Sequence, residues 1–133
     1  MIGKLAAITF LVRDYDEAKN WFVNQLNFKL IEDIDLGDDK RWVLVSHSGT
    51  QGSYLLLAKA DGAEQIAQIG HAAGGRVAFF LHTESFQRDH ARMTAAGIKF
   101  NEPPRHESYG TVAVFEDLYG NLWDLIEPRA SIN

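Results

Sequence analysis

Residues 111–128 read TVAVFEDLYGNLWDLIEP: an apolar run, a tight turn around Gly120, and a second apolar run that holds one acid, Asp124. Runs rich in Val, Phe, Leu and Trp, separated by Asp, Gly and Asn, predict two strands around a turn. Leu122, Trp123, Leu125 and Ile126 surround Asp124 with apolar side chains. Its carboxylate should therefore face a packed interior, where a charge needs a partner or a metal ion. The alternative is a half-exposed edge strand in which Trp123 points inward.

Working outward, the chain follows one plan twice. LAAITFLVRDYDEAKNWFVNQLNFKLIED, beginning at Leu5, predicts a strand, a helix capped by Asp14 or Asp16, a left-handed stop at Asn27, and a second strand. Ala18, Trp21, Phe22 and Gln25 or Leu26 make one apolar helix face. GRVAFFLHTESFQRDHARMTAAGIKFNEP, beginning at Gly75, repeats this with Thr83 or Ser85 as cap, Phe86, Met93 and Ala96 inward, Gly97 as terminator and Ile98–Phe100 as the next strand. Each copy is followed by two strands, KRWVLVS and SYLLLAK in the first, GTVAVFE and LWDLIEP in the second. The reading is one domain, 1–133: a first β-α-β-β-β module over 1–60, a connector over 61–75 with a short helix, and a second module over 76–133. Such a duplication predicts an α+β fold in which curved mixed sheets surround a cleft, the usual place for a small ligand.

Composition narrows the function. A chain of 133 residues, 46% apolar, can bury one substantial core. The net charge of -5, with acids and bases interspersed, argues against nucleic acid and anionic membrane surfaces. Absence of cysteine excludes disulfides and thiolate chemistry and suits a cytoplasmic location. The N-terminal apolar run is about eight residues, too short for a membrane span, and reads as the first strand.

The opening ITFLVRDYDEAKNWFVNQLNFKL and the closing FEDLYGNLWDLIEP resemble the vicinal oxygen chelate superfamily, which includes glyoxalase I, extradiol dioxygenases, fosfomycin-resistance enzymes and bleomycin-resistance proteins. The match spans nearly the whole chain. The resemblance implies metal ligands at four strand positions, which fall here on Ala7, Leu56, Arg76 and Asp124. Only Asp124 can bind a cation; Ala and Leu offer no donor and Arg repels one. The expectation is therefore a protein without cofactor, in which Arg76 and Asp124 form an ion pair in place of the metal. A divalent metal held by His106, Asp124 and a residue of the first copy is the alternative. A homodimer is also implied by the resemblance.

Two further clusters suit ligand recognition. PPRHESYG, Pro103 to Gly110, places Arg105, His106, Glu107 and Tyr109 on one stiffened loop, with His106 or Glu107 as candidate general acid or base. Arg41 and Trp42 open a strand after the acidic turn DIDLGDD, and one of them should point into the cleft. The functional expectation is a cleft for a small organic molecule, bound by Arg41, Trp42, Arg76, Arg105, Tyr109 and Asp124. The alternative is a lyase, isomerase or dioxygenase that uses His106 and Glu107 or a metal outside the family pattern.

Overall fold

Asp14 opens the first helix: its Oδ2 accepts the Glu17 amide at 2.8 Å, and Asn27 ends the helical segment with a φ of 62°. In this computed structural model, which describes residues 1–47 and 52–130, the chain forms two compact units, Met1–Ile69 and Gly70–Asn133. No helix among the described residues is long and apolar enough to cross a membrane.

The first unit runs β1 (Ala7–Val12), α1 (Tyr15–Asn20), β2 (Lys29–Gly37), β3 (Lys40–Ser46), β4 (Tyr54–Lys59) and α2 (Ala63–Gln68). A π-helical turn over Trp21–Gln25 extends α1. The sheet order is β1-β4-β3-β2, with β1 parallel to β4 and the remaining pairs antiparallel. Phe10, Val12, Val43, Val45 and Leu57 are buried, as are Ala18, Phe22 and Leu26 of the helical segment, and the Phe10 and Phe22 rings meet edge-to-face at 5.2 Å. Each of the Val, Leu and Phe side chains contributes roughly 1.5–3 kcal/mol when fully buried. The stretch DIDLGDD differs from the expected solvated turn. Only Asp38 and Asp39 turn, with φ of 54° and 61° as a two-residue hairpin requires, while Asp33 and Asp35 pair with Val43 and Arg41 inside β2.

The second unit runs β5 (Val77–His82), α3 (Phe86–Ala95), β6 (Arg105–Glu107), β7 (Gly110–Glu116) and β8 (Leu122–Pro128), in the order β5-β8-β7-β6. Ser85 caps α3 through the Arg88 amide, and Gly97 ends it in the left-handed region at a φ of 91°. Phe86 and Met93 are buried, with Ala96 half-buried. Two expectations need correction here. Ile98–Phe100 contributes only one bridge, Phe100 to Phe115, and PPRHESYG is a strand and hairpin turn rather than a loop. Gly110, which follows that turn, lets β7 close against β8: a Cβ there would lie 2.2 Å from the Glu127 carbonyl oxygen. Both units are thus four-stranded mixed sheets with helices, an α+β fold built twice.

Candidate functional site

Strand alternation sorts the side chains of each sheet. In the second unit Phe80, Asp124 and Val114 are directly opposed on β5, β8 and β7, and Phe79, Trp123 and Phe115 take the other face. The second set packs together, with Trp123 4.4 Å from Phe79 and 5.7 Å from Phe115 between ring centroids. Phe115 reaches Phe100, and Phe100 meets His90 of α3, so this is the helix-bearing face. Asp124 therefore lies on the helix-free face.

Arg105 shares that face, since it pairs with Val112, which pairs with Ile126. Its Nε donates to both Glu102 oxygens, at 2.9 and 3.0 Å, and its Nη1 to Glu107 at 2.7 Å. Glu102, absent from the sequence expectations, also accepts the Val114 amide at 3.1 Å and so ties the segment before Pro103 to β7. Asp124 is only 7% exposed, and its Oδ1 is buried without a hydrogen-bond partner. Burial pushes its carboxyl above the ordinary range; the Arg105 charge opposes this and the Glu102 charge reinforces it. Tyr109 is exposed in the β6–β7 turn.

The turn that precedes β8 fixes Asp124 in place. Asp117 Oδ1 accepts the amides of Tyr119 and Asn121, while Oδ2 accepts Asn121 Nδ2 at 3.0 Å and Trp123 Nε1 at 2.9 Å. Burial raises the Asp117 pKa against these four donors. The Asp and Asn flanking Tyr119-Gly120 were the available sequence signal, because such residues bond local backbone in turns.

Arg76 requires a correction. Thr9 pairs with Leu56 as Phe80 pairs with Asp124, which upholds the match of Leu56 to Asp124. Ala7, however, pairs with Tyr54 where Val77 pairs with Leu122, and an irregularity at Ala78 shifts the remainder of β5 by one residue. The counterpart of Ala7 is thus Val77. Arg76 precedes β5, is exposed, and makes no ion pair with Asp124.

His106 and Glu107 are also separated. Glu107 bonds Arg105, whereas His106 occupies the helix-bearing face, with Nδ1 3.2 Å from Thr111 Oγ1. There it lines a hollow of about 490 Å³ with Phe86, His90 and Glu127. In the first unit Trp42 lies on the helix-free face with Ile34, Leu44 and Leu56, and is 39% exposed. Arg41 takes the opposite face. Its guanidinium bonds Asp33 at 2.6 and 3.1 Å and Asp16 at 3.0 Å, lies 5.2 Å from the Tyr15 ring, and holds both acids below the ordinary carboxylate range. Of the six expected binding residues, the structure places Arg105 and Asp124 on one face of the second sheet, two strands apart, with Tyr109 in the β6–β7 turn.

A metal ion does not fit the donor set around Asp124. Its cross-strand neighbours are Phe80 and Val114, and no group of three His, Asp or Glu side chains among the described residues could hold a cation.

Comparison with known proteins agrees with this architecture. An uncharacterized protein of Shewanella frigidimarina is 57% identical over 128 residues, which is 96% of this chain and 95% of that protein. The crystal structure of UcmS2 superposes with a TM-score of 0.82 at 28% identity, covering 96% of this chain and 99% of the other. TnmS3, an antibiotic binding protein from Streptomyces sp. CB03234, superposes at 0.79 with 26% identity, covering 96% and 98%. The family model of the Glyoxalase/Bleomycin resistance protein/Dioxygenase superfamily matches residues 4–125, and the chain belongs to that superfamily.

Proposed function

We propose that this protein binds a small organic molecule through the helix-free faces of its sheets and does so without the metal centre of its enzymatic relatives. The observation that carries the reading is the surroundings of Asp124: one buried carboxylate between Phe80 and Val114, with no cluster of donors for a cation among the described residues. The likeness to an antibiotic binding protein supports it. Arg105, Tyr109 and Asp124 supply polar groups in the second unit; in the first, the exposed Trp42 offers an apolar wall. Chelator-treated protein should be stabilised by members of an aromatic natural-product library in a thermal-shift screen, and less so after Trp42→Ala. Stabilisation by micromolar Zn, Ni, Mn or Fe that disappears in Asp124→Asn would overturn the metal-free reading.

A second reading is an enzyme of the superfamily that uses His106 as proton carrier. The hollow that His106 shares with His90 and Glu127 favours it. Turnover of a candidate substrate that His106→Gln abolishes would establish it. A cytoplasmic homodimer completes the proposal; exposed Leu30, Ile31 and Leu36 on the edge strand β2 offer apolar surface for a second copy, and light scattering reads the mass.

A further inference from the structure

On the helix-free face of the second unit, the charges of Glu102 and Arg105 act on Asp124, and Glu107, two strands away on β6, bonds Arg105. Arg105 directs Nε to Glu102 and Nη1 to Glu107, so the single base is neutralised by two acids. Asp124 is the carboxylate left over. Its Oδ1 is buried and bonds nothing, although a buried carboxylate oxygen is costly to leave without a donor. Phe80 stands beside it on the neighbouring strand, about 4.8 Å away by strand spacing, and leaves 61% of its surface exposed. An uncovered aromatic ring next to an unpartnered acid is costly in water and complementary to one kind of guest.

We propose that the ligand presents a protonated amine to Asp124 and lays its apolar body against Phe80. This rests on the binding reading above and names the chemical class of the ligand. A metal ion would need further donors, which this face lacks among the described residues. An anion would meet the charges of Asp124 and Glu102, with Arg105 already bonded to Glu102 and Glu107. A neutral donor would bond the Asp124 carboxylate but would gain neither the charge-assisted bond nor the attraction of a cation to the face of the Phe80 ring. An alkylammonium group gains both, and its apolar substituent covers the exposed ring.

The test uses three probes with one aromatic body: 2-phenylethylamine, its N-acetyl derivative and 3-phenylpropionate. Each is titrated into the full chain by amide-resolved NMR, alongside Asp124→Asn and the surface control Glu64→Gln. The expected result is that the amine shifts Phe80, Val114 and Asp124 and binds at least about tenfold more tightly than the propionate. Asp124→Asn, its spectrum still dispersed, should lose that preference, and Glu64→Gln should keep it. Equal binding of the three probes, preference for the propionate, or a preference that survives Asp124→Asn overturns the inference. If none of the probes shifts these residues while library compounds still stabilise the protein, the amine inference fails and the binding reading stands. If library compounds also fail to stabilise it, both fall.

Discussion

Replacing Asp124 by Asn should stabilise the ligand-free protein at pH 7, the opposite of what an Arg76–Asp124 ion pair would require. Loss of one member of a buried pair costs roughly 3–5 kcal/mol, because the other charge is left uncompensated. The structure holds no such pair: Oδ1 is buried without a partner, and burial raises the Asp124 pKa. Removing the charge relieves desolvation, and the unsatisfied-group penalty suggests a gain of about 1 kcal/mol, since the Asn amide remains partly unsatisfied. For a chain of this length that is roughly 3–5 °C in Tm. The pH dependence comes from the direction of the shift. A folded carboxyl raised above its unfolded value retains its proton where the unfolded chain has released it, so its contribution is fully present below the unfolded value of 3.8 and is lost as pH rises through the folded value. The advantage of Asp124→Asn should therefore be largest near neutrality and shrink toward pH 4. Urea unfolding monitored by tryptophan fluorescence at both pH values measures it. A loss of about 3 kcal/mol at pH 7, or a difference indifferent to pH, would refute the reasoning.

Asp117→Asn should be strongly destabilising despite its near-identical shape, by about 2–4 kcal/mol in urea unfolding, because its amide would face the Trp123 Nε1 and Asn121 Nδ2 donors. Arg41→Met should cost about 1 kcal/mol or less at low ionic strength, and this loss should fade in about 1 M salt, since the bonds to Asp33 and Asp16 lie near the surface. Asp33 and Asp16 are held low by Arg41, so their stabilisation is present above the unfolded carboxylate value and is lost as pH falls through the folded one. Equilibrium unfolding of Arg41→Met from neutral pH into the acid range should show that acid-side loss reduced.

Much of the fold was legible because local signals agreed with one another. Asp14 and Ser85 before helices, Asn27 and Gly97 after them, and the apolar faces through Phe22 and Met93 each act within a few residues. The match of Leu56 to Asp124 was legible too, since each comes four residues after a glycine, Gly52 and Gly120. Arg76 was misplaced because the cap of α3 is Ser85 rather than Thr83: Thr9 and Asp14 match Phe80 and Ser85, and the extra residue at Ala78 then brings the counterpart of Ala7 to Val77. His106 and Glu107 were expected to act together because PPRHESYG was read as a loop. Once it is a strand, adjacent residues take opposite faces, and Arg105 and Glu107 keep company with Asp124 while His106 joins His90. Glu102 depends on a contact across the sheet that no local pattern announces, while of the Asp117 cage only the bonds to the turn's own backbone were legible.

Amide-resolved NMR of chelator-treated protein against an aromatic natural-product library tests the central claim most directly. At least one class of compound should shift the resonances of Phe80, Val114 and Asp124 while leaving those of α2 unchanged. Absence of any compound that moves them, together with a micromolar divalent cation that does, would contradict metal-free binding.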